Sequence, residues 1–282
     1  MATESATAGG HSPVRRAANS KAVEVAARAG FGARGVIYVL IGVLSLRIAF
    51  PGGGDGGEQA DRGGAIAEIA QKPFGTVLLW LLGIALAGMA LWRLSEAAFG
   101  QAGPDGDKAG KRAMAAGRCV FYGFVAYSVL SYAAGDKGSG SGSSDRNSQD
   151  VTAKALDWPG GQWIVGAAGA AVTAAGVWIA VRAVMRKFEK HLKMSEMSRR
   201  VHRFVSFFGV SGGTARGIVF ATAGGFAVAA AVQHEPGKAK GMDDTLRTFA
   251  DTPAGPWLLV LIAVGLMAFG VFSWANARWR RV

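Results

Sequence analysis

Three arginines carry the clearest chemical potential in this chain. Arg34, Arg118 and Arg216 each stand four residues ahead of an aromatic, namely Tyr38, Tyr122 and Phe220. Guanidinium pairs bidentately with phosphate oxygens, so three of them gathered in a ring would bind phosphate or an anionic lipid headgroup. The competing reading is plain anchoring, in which each arginine reaches into the headgroup layer from a helix end. A second basic set, Lys187, Lys190, Lys193, Arg199, Arg200 and Arg203, is interleaved with Met185, Phe188, Leu192, Met197, Val201, Phe204 and Phe208. That spacing suits a basic amphipathic segment against an anionic leaflet, or a solvated continuation of the helix before it.

Other chemistry finds little support. The chain has no Walker A pattern, no Cys-x-x-Cys and no His-Glu-x-x-His. The glycine runs Gly52–Gly57 and Gly138–Gly142 lack the strand and helix that a phosphate cradle needs. The four histidines all fall in polar segments, and His191 and His202 stand among cations, which disfavours a metal. The single cysteine, Cys119, excludes an internal disulfide and reads as a small apolar residue. No catalytic, cofactor or metal residue is assigned, and the expectation is a protein without enzymatic activity.

These arginines must be positioned by membrane-spanning helices. Charged residues avoid six windows, about 33–50, 75–91, 114–134, 161–181, 214–232 and 255–275. Each is near the length that crosses a ~30 Å hydrocarbon core as a helix. Within them the charged residues are Arg34, Arg47, Arg118 and Arg216, all toward a window end. Arg47, at the far end of the first window, reads as snorkelling outward or as facing a pore. The windows pair into a unit that occurs three times: the arginine–aromatic pair heads one span, and Pro-x-Gly heads the next, at Pro73–Gly75, Pro159–Gly161 and Pro253–Gly255. Before each Pro-x-Gly comes a short acid-started stretch, at Asp61, Asp150 and Asp243, expected to form a surface helix whose acid satisfies its free N–H groups. The proline is expected in the first turn of the span that follows, where it costs no hydrogen bond.

The organisation that follows is a disordered tail over 1–25, hairpin repeats over 26–100, 111–188 and 209–282, and a basic amphipathic linker over 189–208. Residues 23–31 read as a short interfacial helix. Alternate segments hold 22 of the 31 Lys and Arg, and the other set holds 12 of the 19 Asp and Glu. By the positive-inside rule both termini are cytoplasmic in a plasma-membrane protein. No cleavable signal peptide is expected, because the first apolar run begins late and is followed by Pro51 and glycines. Ala167, Ala171 and Ala175, with glycine pairs in other spans, offer close helix approach.

The residues Ala33-Arg34-Gly35-Val36-Ile37-Tyr38, Pro73-Phe74-Gly75 with Ala90-Leu91-Trp92-Arg93, and Thr214-Ala215-Arg216-Gly217 resemble the actinobacterial membrane family called Domain of Unknown Function twelve-oh-six. The resemblance runs over about 26–282 in three tandem copies. Copy two departs from it in having Cys119 where the others have Gly35 and Gly217. It implies a six-span membrane protein and carries no activity or site residues.

The expected fold is therefore all-α and polytopic, six transmembrane helices as three two-helix hairpins. The expected work is binding of anionic lipid or an envelope partner, with no nucleic acid and no cofactor. The alternative is a small-solute or lipid transporter whose path runs between hairpins, past Tyr127 and Thr173.

Overall fold

A computed structural model of the chain describes residues 21–50, 59–100, 108–136, 144–251 and 254–280. In chain order its helices are α1 (Lys21–Ala49), α2 (Arg62–Ala70), α3 (Gly75–Phe99), α4 (Ala109–Ala133), α5 (Ser144–Leu156), α6 (Gly161–Val184), α7 (Arg199–Gln233), α8 (Met242–Ala250) and α9 (Gly255–Trp279). Six of them, α1, α3, α4, α6, α7 and α9, contain 18-residue windows of mean hydropathy 1.4 to 2.4. At 1.5 Å per residue even the shortest reaches about 36 Å, enough to cross a bilayer core. The protein is an all-α, multi-pass membrane protein of three repeated two-span units.

Several local expectations are corrected. Residues 23–31 are not a separate interfacial helix, and helix begins inside the tail assigned to 1–25, because α1 runs unbroken from Lys21. Neighbouring helices close on three of its glycines, Gly30, Gly35 and Gly42: a Cβ on Gly30 would lie 2.5 Å from Met89 of α3. Residues 1–20 and both glycine runs, Gly52–Gly57 and Gly138–Gly142, lie wholly or mainly outside the described residues. The second short helix starts at Ser144, well before Asp150, so its first-turn acid is Asp145.

Pro-x-Gly also proves to be a turn and not a first helical turn. The Gly75 N–H donates to Lys72 O at 2.8 Å, and the Gly161 N–H to Trp158 O at 2.8 Å. Proline thus occupies the second position of a four-residue turn. The third position is left-handed in both, Phe74 at φ 62 and Gly160 at φ 79, which defines a type II turn. The glycine has its own reason. A Cβ at Gly75, Gly161 or Gly255 would lie 2.4, 1.8 or 1.7 Å from a carbonyl oxygen of the preceding short helix. Pro253 lies outside the described residues; in copy three Pro256 takes the early helical position instead.

The spans form an open row in the order α4, α3, α1, α9, α7, α6, each packed on its neighbours in that row. Spans from successive copies meet along close seams. On α6 and α7, a Cβ at Gly176 would lie 2.3 Å from Ala221 N, and one at Gly224 2.4 Å from Thr173 N. Such backbone approach replaces the hydrophobic drive that lipid cannot supply. The seam uses Gly169, Thr173 and Gly176; Ala167, Ala171 and Ala175 are exposed instead. The Trp274 indole donates to Gly32 O at 3.0 Å, and Arg28 donates to Ala277 O and Arg278 O at 2.7 Å each, tying α1 to α9. By contrast α4 and α6, the two spans of copy two, are not packed on each other among the described residues.

Residues 185–198 do not form the basic helix expected over 189–208. They fold into two short 3-10 turns, Glu189–His191 and Met194–Glu196, and α7 begins only at Arg199. The cause is apolar burial: Leu192 is buried beside Phe269, Phe272 and Val205, with Phe188, Met194 and Met197 packed around them. Lys193 N–H closes the fold onto Trp279 O at 2.8 Å.

Candidate functional site

Arg34, Arg118 and Arg216 lie well inside α1, α4 and α7, on the side of the bundle where these helices begin, here called the basic end. The same end carries Arg93 near the close of α3 and Arg280 just past α9. Two of the three repeated arginines turn inward. Arg34 donates from Nε to Ser273 Oγ at 3.1 Å and from Nη1 to the Tyr122 hydroxyl at 3.3 Å. Because α3 stands between α1 and α4 in the row, the Tyr122 contact crosses the interior. Arg216 lies 5.7 Å from the Tyr38 ring, 5.1 Å from Phe220 and 5.0 Å from Phe269. Arg34 covers Phe269 as well, at 5.1 Å. Phe269 therefore separates two guanidiniums, and its π faces attract both.

A rule of the repeat is visible in these contacts. The arginine of copy one meets the aromatic of copy two, and that of copy three meets the aromatic of copy one. The third link, Arg118 to Phe220, is not made among the described residues. Arg118, half-buried, instead turns Nη2 to Met114 Sδ at 3.2 Å along α4. It stays within electrostatic reach of Arg93, Glu96, Tyr122 and Arg216. The three repeated arginines do not close a ring: Arg34 and Arg216 share Phe269, and Arg118 stands outside that contact.

Arg93 and Arg280 complete the cluster. Arg93 is 3 % exposed and pairs with Glu96. Trp92 is held between the Arg93 guanidinium at 4.1 Å and that of Arg280 at 5.3 Å. Arg280 also covers Phe31 at 5.1 Å, and Arg34 covers the same ring at 4.8 Å. Burial first, then the charge of Arg93, pushes the Arg280 guanidinium down to about 9, with Glu96 acting the other way. Burial and the charge of Arg280 likewise push the nearby His191 imidazole down to about 4, so it stays neutral near pH 7. The Nε atoms of Arg93, Arg216 and Arg280 are buried and have no hydrogen-bond partner among the described residues. Shared rings join Arg34, Arg93, Arg216 and Arg280 into one cluster, with Arg118 near, and Glu96 pairs with Arg93 within it.

Sequence reasoning missed Arg93 and Arg280 as members. A signal existed for Arg93. Trp92, Trp178 and Phe272 stand at equal distances beyond Gly75, Gly161 and Gly255, so the position after Trp92 repeats as Arg93, Ile179 and Ser273. Ser273 is the Arg34 partner. Arg280 has no such signal, because Arg278 and Arg281 beside it look alike in sequence.

The second basic set is scattered by the fold. Lys187, Lys190, Arg199, Arg200 and Arg203 are exposed, and Lys193 is half-buried, 3.4 Å from Glu196. Arg200 and Arg278 flank an apolar groove of about 540 Å³ between α7 and α9. The two residues expected along a transport path lie in different settings, Tyr127 on α4 and Thr173 on α6. Tyr127 is 61 % exposed, while the Thr173 hydroxyl donates to Gly169 O at 3.0 Å in the α6–α7 seam.

At the opposite, acidic end the short helices converge. Carboxylate oxygens of Asp145, Asp243 and Asp244 lie within 4.8 Å of one another. They exchange N-terminal caps between copies: the Ala60 N–H donates to Asp243 Oδ1 at 2.7 Å and the Asp244 N–H to Asp145 Oδ1 at 3.1 Å. Asp61 caps Gly64 within its own helix at 2.9 Å. Burial pushes the Asp145 carboxyl up to about 6. Arg47 does not simply reach outward but lies 3.6 Å from Glu68 of α2, a carboxyl held below its ordinary value chiefly by Lys72.

Fold and site define a class: a multi-pass membrane protein of three tandem two-span repeats, with a buried arginine–aromatic cluster at one end. The chain belongs to the family described as Domain of Unknown Function (DUF1206), whose model matches residues 29–100, 113–186 and 211–280. It is similar to the uncharacterized protein YxxB of Bacillus subtilis (strain 168), at 27% identity over 246 residues, 87% of each chain. No solved structure matches it.

Proposed function

We propose that this is a non-enzymatic plasma-membrane protein that binds the phosphate of an anionic lipid at its basic end. On this reading the basic end is cytoplasmic, as its excess of Lys and Arg indicates, and both termini lie on that side. One observation carries the reading: the buried Nε groups of Arg93, Arg216 and Arg280 lack an acceptor among the described residues, in a cluster where only Arg93 has a carboxylate partner, Glu96. Aromatic faces offset part of the cost of burying these cations, at about 0.5–2 kcal/mol each, but they do not replace hydrogen-bond acceptors. A phosphate diester would neutralise charge and accept several N–H groups at once.

The test is lipid retention. Wild-type protein purified in mild detergent is expected to carry phosphatidylglycerol by native mass spectrometry. Arg34→Gln with Arg216→Gln is expected to lower that retention at least tenfold at unchanged helicity. Equal retention by a folded variant overturns the proposal.

A second reading, carriage of the lipid between hairpins, is favoured by the unpacked α4–α6 pair, which leaves a lateral break in the row of spans. Scrambling of labelled lipid in proteoliposomes tests it, and rates equal to empty vesicles exclude it.

A further inference from the structure

A pocket separate from the arginine–aromatic cluster lies at the basic end, between the close of α6 and the start of α7. Its volume is about 770 Å³, and its rim carries Arg186, Arg199, His202 and Arg203. That size suits a substituted phosphate and far exceeds a bare ion. Ser206 lies on the same lining, and Phe207 and Val210 supply an apolar wall that continues down α7. We propose that this pocket binds a phosphate ester bearing an apolar substituent.

Three features support the assignment. First, the rim is cationic without compensation: no carboxylate pairs with Arg186, Arg199 or Arg203 among the described residues. The nearby Glu189 stands behind the rim and leaves the three arginines unpaired. It accepts from Ser206 Oγ at 2.6 Å and lies 3.6 Å from His202 Nε2, which has no hydrogen-bond partner among the described residues.

Second, Arg186 holds a left-handed backbone, φ 52, just past the C-cap Met185 of α6. Glycine is the usual occupant of that position because it has no Cβ to strain. An arginine there accepts strain in order to place a guanidinium at the mouth of the pocket. Third, Arg199 is the first residue of the 35-residue helix α7. From there Arg199, His202, Arg203, Ser206, Phe207 and Val210 line one face of that helix, so the cations stand at its start and the apolar wall follows below them.

Phosphate of this kind has two sources, a phospholipid headgroup or a soluble phosphorylated molecule, and the experiment separates them. Arg186→Gly suits the left-handed backbone, so it removes the cation without disturbing the fold, and Arg199→Gln with Arg203→Gln is a second variant. One arm measures phosphatidylglycerol retention in nanodiscs, the other ATP and inorganic phosphate binding by calorimetry. A tenfold or greater loss of lipid retention in either variant supports the pocket with lipid as source. The same loss in the calorimetric arm supports it with a soluble ester as source. Unchanged binding in both arms, for variants with wild-type melting temperature, overturns it. Arg34→Gln with Arg216→Gln run in parallel separates this pocket from the arginine–aromatic cluster, because each set of variants is expected to spare the other site.

Discussion

Copies one and three hold their two spans together, whereas copy two does not. Helix α1 packs on α3 and α7 on α9, but α4 and α6 stand apart at the two ends of the row. The seams between copies, α3 with α4, α6 with α7 and α9 with α1, are nevertheless all present. The hairpin is thus the repeating unit of sequence, while the pair of spans from successive copies is the common unit of packing. The two ends differ in what they can bury. Helix α6 buries only Gly161, Val165, Gly169, Gly176 and Ala183, a narrow stripe that serves one neighbour. Helix α9 buries residues on several faces, including Leu259, Leu266, Phe269 and Phe272, and serves two spans. Cys119 does not explain the open hairpin, because Gly35 and Gly217 face α9 and α6 across seams between copies and not their own partners.

The largest expected effect lies in that seam. Gly176→Leu would drive a side chain into the α7 backbone at Ala221, costing about 3 kcal/mol or more, since backbone cannot step aside as a side chain can. Gly123→Leu on the open side of α4 meets nothing within 4 Å and is expected to stay within about 0.5 kcal/mol of wild type. Thermal unfolding in detergent compares them, and equal losses would show that α4 is covered after all.

Next comes the arginine asymmetry that the open hairpin produces. Arg118→Gln alone is expected to change lipid retention less than threefold, against tenfold or more for Arg34→Gln with Arg216→Gln. A loss for Arg118→Gln as large as for the pair would mean that the third arginine joins the cluster when lipid is bound.

The turns that start the even spans offer a smaller contrast. Phe74→Gly relieves a left-handed phenylalanine and is expected to stabilise by about 1 kcal/mol, while Gly160→Ala in copy two costs about the same. A melting temperature that falls for Phe74→Gly would show that this 82 % exposed ring is held by contacts of its own.

A pH dependence marks the acidic end. The Asp145 carboxyl rises from an ordinary 3.8 to about 6 on folding, so the folded state binds this proton more tightly than the unfolded chain. Its contribution to stability is present in full below about pH 4 and is lost as pH rises through about 6. Melting is therefore expected at higher temperature at pH 5 than at pH 7.5, with Asp145→Asn flattening that difference. A variant as pH-sensitive as wild type would place the titration elsewhere.

Much of the frame was legible before any coordinates. The charge-free windows marked the six spans, since a bilayer core excludes charge along any segment that crosses it. The type II turn at Pro73–Gly75 was signalled by its residues but read as a helix start, because proline suits both positions. Ala167, Ala171 and Ala175 looked like a seam because small-xxx-small spacing does not say which face meets a neighbour. The chain over 185–198 looked helical because its apolar spacing is close to helical, yet Leu192 and Phe188 are claimed by α7 and α9. Asp145 was missed because Asp150 stood nearer to the expected helix.

By itself the sequence determined the number of spans, their grouping into three like units and the excess of positive charge at one end. All three depend on which segments can leave water, a property of each segment alone. The tertiary structure alone decided that Arg34 and Arg216 turn inward onto Phe269, that Arg93 and Arg280 join them, and that α4 and α6 part. Lipid and protein interior are equally apolar partners for a spanning helix, so hydropathy does not distinguish a face that meets lipid from one that meets a neighbour. Only close packing at Gly169, Gly176, Gly217 and Gly224 makes that choice.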